Sequence, residues 1–179
     1  MLTNTLSKKK KKIKKLLNSA ALLLQVQGTL ILQPTTTTEQ KKKGTKIHYI
    51  LQILSILAFL AAFLIIEINK GDHARFTSTH GVLGLLTYIG IVLQATVGVV
   101  QYFVPTLVFG SVDKGKSIYK YHRLSGYALL VLELATFSAA TSTGFNVNLS
   151  KIPLSAVVVA SVLILLGVGG RIRKQKLGL

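Results

Sequence analysis

Hydrophobic residues in this chain come in long unbroken runs, and polar residues collect between the runs instead of alternating within them. A helix of about 20 mostly apolar residues covers the ~30 Å hydrocarbon core of a bilayer. Four segments reach that length: 47–68, 79–104, 121–143 and 152–170. A weaker fifth, 16–33, is interrupted by Gln25 and Gln27 and ends at Pro34, after which Thr35 to Thr38 read as a loop. The pattern predicts an all-α, multi-pass transmembrane helix bundle of four clear spans plus one weaker N-terminal segment. A basic segment, 1–15, precedes a transmembrane domain over 16–179, and no internal repeat is present.

Composition agrees with lipid as the solvent. Half of the 179 residues are hydrophobic and 15% are charged, with a mean hydropathy of +0.53. The formal charge of +17 is concentrated in blocks: Lys8 to Lys12 with Lys14 and Lys15, Lys41 to Lys43 with Lys46, and the tail Arg171 to Lys176. Cations flanking apolar runs set topology and touch anionic lipid. No aromatic or base-reading pattern accompanies them, so the lipid bilayer is the expected partner and nucleic acid is not. Richer and poorer loops alternate if 34–46, 106–120 and the tail face the cytosol. The first Lys block breaks that alternation, which suggests an amphipathic interfacial anchor for 16–33 or an altered gene start before it. The absence of cysteine excludes disulfides, iron–sulfur clusters and thiolate-bound haem or zinc.

Chemistry gathers on the histidines. His48, His80 and His122 each open a strong span, and His73 lies in the loop before His80. Consecutive spans are antiparallel, so His48 and His122 are expected at one depth and His80 on the opposite side. Two neutral imidazoles at one depth can ligate a haem iron from both faces, an arrangement suited to electron transfer. Helical spacing lines His48 with Gln52 and Ser55. It lines His80 with Gly84, Thr87, Gln94, Gly98 and Gln101, and His122 with Gly126, Leu129, Glu133 and Thr136. Each histidine thus shares a face with small or weakly polar residues, which let a macrocycle or a helix come close. The plainer alternative is interfacial histidines beside ordinary helix-packing stripes. A zinc site lacks a carboxylate or thiolate near His48 and His122 to complete it. Glu133, in mid-span, is costly unless protonated and hydrogen-bonded, with Gln94 as the expected partner.

Three stretches carry a family resemblance. Lys41-Lys42-Lys43-Gly44-Thr45-Lys46-Ile47-His48-Tyr49-Ile50-Leu51-Gln52 resembles the start of the third span in the cytochrome b-561 family. Phe76-Thr77-Ser78-Thr79-His80-Gly81-Val82-Leu83-Gly84 and Tyr121-His122-Arg123-Leu124-Ser125-Gly126-Tyr127 resemble its next two signatures. The match covers about residues 28–179 and looks closest to the short, domain-containing branch. The resemblance implies a six-helix core, here incomplete, with haem b near each face and electrons passing from cytosolic ascorbate to monodehydroascorbate or ferric chelates. It implies an ascorbate-dependent (ferri)reductase in an endomembrane, and it allows a homodimer. His48 and His122 would hold the cytosolic haem and His80 one side of a second.

The chain also departs from the pattern. The family's remaining ligand lies in a His-Pro context before the span of His48, and no histidine precedes His48 here. His80 therefore lacks an evident partner, and one haem is expected where the family has two. Lys42, Lys46 and Arg123 are the candidate contacts for ascorbate; His73 and Phe76 are those for the acceptor. The competing reading is a haem-deficient relic or structural membrane protein of the same fold.

Overall fold

A computed structural model describes residues 2–70 and 75–177, with the side chains of 2–12, 14, 15, 69, 70 and 149 left aside. Among the described residues the protein is all-helical, as a multi-pass membrane bundle requires. Two separately packed units divide it, Met1–His73 and Ala74–Leu179.

The first unit is a helical hairpin. Helix α1 runs over Leu2–Leu30 and packs along α2, Thr38–Lys70. The reading of 34–46 as a loop is corrected here, because α2 starts at Thr38 and carries Lys41 to Lys43 and Lys46 on its first turns. Its start is a capping box: Thr37 Oγ1 accepts from the Gln40 N–H at 3.2 Å, while Gln40 Oε1 accepts from the N–H groups of Thr36 and Thr37 at 3.0 and 3.3 Å. Gly44 lets α2 close on the turn, since a Cβ there would stand 3.1 Å from Thr35 Cγ2 and 3.2 Å from Leu32 Cδ2. Within segment 16–33 the face of Ala21, Gln25 and Gly28 is packed against α2. The helix continues without a break back through the Lys block.

The second unit is built on α3, Thr79–Phe103, and α6, Tyr119–Ala140. Ser78 caps α3 by accepting from the Gly81 N–H at 3.1 Å. The stretch 106–120, expected as a plain loop, contains α4, Pro105–Phe109, and α5, Val112–Ser117. Left-handed Gly110 (φ 77°) ends α4, and Ser111 caps α5. Beyond α6 the chain makes one wide helical turn, Asn146–Ser150, before α7, Leu154–Gly169, which packs on α6.

By length and composition, two helices among the described residues can cross a membrane, Thr38–Ile68 and Thr79–Phe103. Helix α7 is apolar but shorter. Helix α6 has the length, and its apolarity is diluted by Arg123, Ser125, Glu133 and Thr136. Leucines and valines stand outward along these helices, with Leu57 56% exposed, Val92 61% and Leu163 64%. Water tolerates no such apolar surface, whereas lipid tails cover it.

Candidate functional site: histidines held by neighbouring helices

His48, Gln52 and Ser55, placed on one face by helical spacing, are the residues with which α2 meets α1. Ser55 is fully buried and donates to the Ala21 carbonyl at 2.7 Å. Gln52 Nε2 donates to the Gln25 carbonyl at 3.2 Å. His48 Nδ1 lies 2.7 Å from the Gly28 carbonyl oxygen. As positions advance on α2 their partners recede on α1, the register of an antiparallel pair. Gly28 permits the approach, because a Cβ there would stand 2.8 Å from Gln52 Nε2 and 3.3 Å from Leu51 Cβ.

A carbonyl oxygen only accepts, so the Nδ1 of His48 carries the proton in this bond. In the neutral ring the Nε2 lone pair is then left for a metal, and the carbonyl fixes the ring plane. This is how a protein ordinarily orients an imidazole ligand.

His80 is held in the same way inside the second unit. Its Nδ1 lies 3.1 Å from the Thr136 carbonyl on α6. The Thr136 hydroxyl donates to Leu132 O at 2.8 Å, so the 2.9 Å contact between Thr87 and Thr136 hydroxyls has Thr87 as donor. Gly81, beside His80, is tied to the backbone before the helix: a Cβ would stand 3.1 Å from Phe76 Cα. Phe76 itself has a left-handed backbone (φ 57°), a conformation costing a non-glycine residue about 1–2 kcal/mol.

His122 is held by α3. Gln94 Nε2 donates to the His122 carbonyl at 2.5 Å, and Ser125 Oγ donates to Gln94 Oε1 at 2.8 Å. The imidazole lies over Gly98, where a Cβ would stand 3.2 Å from Cε1 and 3.7 Å from Nε2. The faces inferred from spacing along α3 and α6 are therefore the faces that meet. Thr87, Gln101, Leu129, Glu133 and Thr136 are all buried between or beside them.

One pairing expectation fails. Gln94 spends its amide on His122 and Ser125, not on Glu133. Glu133 lies seven residues farther along α6 than Gly126, which faces Gln94, and seven residues of helix span roughly 10 Å. Glu133 is buried, at 1% exposure.

The remaining candidates are more exposed. Lys42 and Lys46 are solvent-facing on the first turns of α2. Arg123 is half-buried and its guanidinium donates to the Lys176 carbonyl of the tail. Phe76 is 38% exposed. His73 lies outside the described residues. The sequence reading missed the carbonyls of Gly28 and Thr136, since any residue supplies one and only inter-helix register selects them.

The donor set fits haem b. Haem asks for imidazoles whose rings are held in one plane, and the carbonyl of Gly28 does this for His48 and that of Thr136 for His80, through Nδ1. Among the described residues no three His, Asp or Glu side chains gather as a compact metal site, and bis-imidazole ligation needs only two.

A family model described as eukaryotic cytochrome b561 matches residues 7–147. No curated protein and no solved structure gives a match. The match is to the family as a whole, not to its short, domain-containing branch. With that match over most of its length, the chain belongs to the eukaryotic cytochrome b561 family of membrane proteins, which bind haem b and transfer electrons across the bilayer.

Proposed function

We propose that this protein is an ascorbate-dependent transmembrane reductase in which His48 and His122 ligate one haem b and His80 offers a ligand for a second. The observation that carries the reading is the pair of Nδ1 contacts, His48 to Gly28 O at 2.7 Å and His80 to Thr136 O at 3.1 Å. An interfacial histidine without a task has no need to spend Nδ1 on a helix carbonyl, the bond that ordinarily orients an imidazole ligand. When bound, haem supplies a one-electron ferric/ferrous couple.

The protein's own residues do the rest. The Gly28 and Thr136 carbonyls orient two rings, and Gln94 with Gly98 positions the third. Lys42 and Lys46, one turn apart on α2, and Arg123, next to His122, present cations that raise the local concentration of the ascorbate anion. On the other side His73 and Phe76, shortly before His80 in the sequence, meet the acceptor, monodehydroascorbate or a ferric chelate. The pairing of His48 with His122 rests on the antiparallel order of the spans and on the family's motifs. An endomembrane location follows from the same resemblance.

The test is a dithionite-minus-ferricyanide difference spectrum of the purified full-length protein with haem quantified per chain. A b-type α-band that ascorbate also develops is expected, and His48→Ala should remove the haem held with His122. No haem in the wild type, or an unchanged spectrum in His48→Ala, overturns the assignment and favours a structural protein of the same fold.

A further inference from the structure

We infer that Gln94 is a positioning residue for His122, setting through its amide how far the imidazole stands out from α6. The inference deepens the haem-ligand reading of His122 and rests on it.

Three observations converge on one helix seam. First, Gln94 Nε2 reaches the His122 main-chain oxygen at 2.5 Å. That oxygen belongs to the histidine itself, so the bond fixes the base from which the ring extends. Second, the orientation of the amide is determined by chemistry. A carbonyl only accepts, so the nitrogen must face His122; the amide oxygen then meets Ser125 Oγ at 2.8 Å, a hydroxyl whose one proton it shares with the Tyr121 carbonyl, also at 2.8 Å. Third, two glycines leave the room the arrangement needs. A Cβ on Gly126 would lie 2.9 Å from Gln94 Nε2, and a Cβ on Gly98, one turn beyond Gln94 on α3, would lie 3.2 Å from His122 Cε1.

Helix α3 therefore holds His122 at two points, the main chain through Gln94 and the ring through the surface of Gly98. His48 and His80 are steadied by a carbonyl at Nδ1. For His122 the anchor is a side-chain amide on its main chain, so a polar side chain can tune this ligand.

Two substitutions separate positioning from plain packing. Gln94→Leu keeps most of the volume and removes the donor. Gln94→Glu keeps the shape but turns an acceptor toward the His122 carbonyl. In the full-length protein in detergent, both should alter the low-spin electron paramagnetic resonance signal of the His122 haem. Both should speed transfer of that haem to apomyoglobin by about 10–100-fold, the usual cost of losing a group that orients a ligand. Gln94→Glu should give the larger effect.

A readout independent of haem accompanies these. With 15N-labelled histidine, and the His122 resonance identified by its loss in His122→Asn, both substitutions should shift the His122 ring signal and leave that of His80 in place. A Gln94→Leu protein with wild-type melting, resonance signal, haem transfer and His122 shift overturns the inference, as does a loss of melting temperature without any of the other changes. If the wild type binds no haem, the proposed function fails by itself, and the ring shift still decides the role of Gln94.

Discussion

Four glycines on the α3–α6 seam offer a graded probe of how closely these helices are packed. Alanine in place of glycine in a helix interior gains about 0.5–1 kcal/mol from propensity alone. At Gly84 a new Cβ meets only Thr136 Cγ2, at 3.9 Å, an ordinary contact, so Gly84→Ala should keep that gain. At Gly90 the Cβ would fall 2.7 Å from Leu129 Cδ1, about 1 Å inside the usual carbon–carbon separation. Leu129 is 8% exposed and has little space to retreat. Overpacking of this kind costs about 1–3 kcal/mol, leaving a net loss of roughly 0–2.5 kcal/mol. Gly126→Ala meets Gln94 Nε2 at 2.9 Å and adds the loss of an inter-helix hydrogen bond, on average about 0.6 kcal/mol in membrane proteins and up to about 1.7. Gly98→Ala meets His122 Cε1 at 3.2 Å, where a shift of a few tenths of an ångström relieves the contact. Its mark should be a disturbed His122 and only a small change in stability. Equilibrium unfolding in mixed micelles, followed by far-ultraviolet circular dichroism, should rank Gly84→Ala above wild type and Gly126→Ala lowest. A Gly84→Ala protein as destabilised as Gly90→Ala would refute the packing described for this seam.

Further outcomes follow from other contacts. Asn146 binds the carbonyls of Thr141 and Ile152 and accepts from the Ile152 N–H, at 2.9, 2.8 and 3.2 Å, so Asn146→Ala should cost about 2–3 kcal/mol locally and admit protease cleavage between α6 and α7; unchanged limited proteolysis would count against this role. Thr136→Val removes the Thr87–Thr136 hydroxyl contact but keeps the carbonyl that holds His80, so a loss of about 0.6 kcal/mol is expected, with the His80 ring resonance unmoved. The exposed Asp113 carboxyl is held below its ordinary range by the hydrogen bond from the Lys116 ammonium at 2.8 Å and by that charge. With the folded value depressed, the pair's stabilisation is complete above the ordinary carboxylate pKa and is lost as pH falls through the lower folded value. A carboxyl-carbon titration should show the depression, diminished by salt and by Lys116→Met.

Hydropathy located the part of each helix that lipid touches, and it did not show how far each helix runs. The segment 79–104 was legible almost to the residue because Ser78 caps the helix where the apolar run begins. Helix α2 starts nine residues before its apolar run, since lysine and glutamine are good helix formers in water. The signal for that start was present as Thr37 and Gln40, spaced as a capping box, and was hidden inside a threonine-rich stretch that resembled a loop. Helical spacing also identified the seam-forming faces, because period 3.6 is a property of one chain segment. It gave no way to pair Gln94 with His122 in preference to Glu133, because the sliding register between two helices is decided by packing and not by either helix alone.

The histidine contacts give that register a functional meaning. A one-turn slip of α1 along α2 would carry the Gly28 carbonyl about 5 Å from His48 Nδ1, and the Gln52 and Ser55 bonds would break with it. The three bonds thus enforce one alignment, and that alignment presents His48 with its proton on the carbonyl side. On the α3–α6 seam the Thr136 carbonyl, the Thr87 hydroxyl and the Gln94 amide act together in the same sense, holding His80 at one end and His122 at the other. In an apolar bundle, where leucine against leucine specifies no register, these few polar bonds are what set the orientation of each imidazole. The orientation of the proposed ligands is in this way encoded by residues other than the ligands themselves.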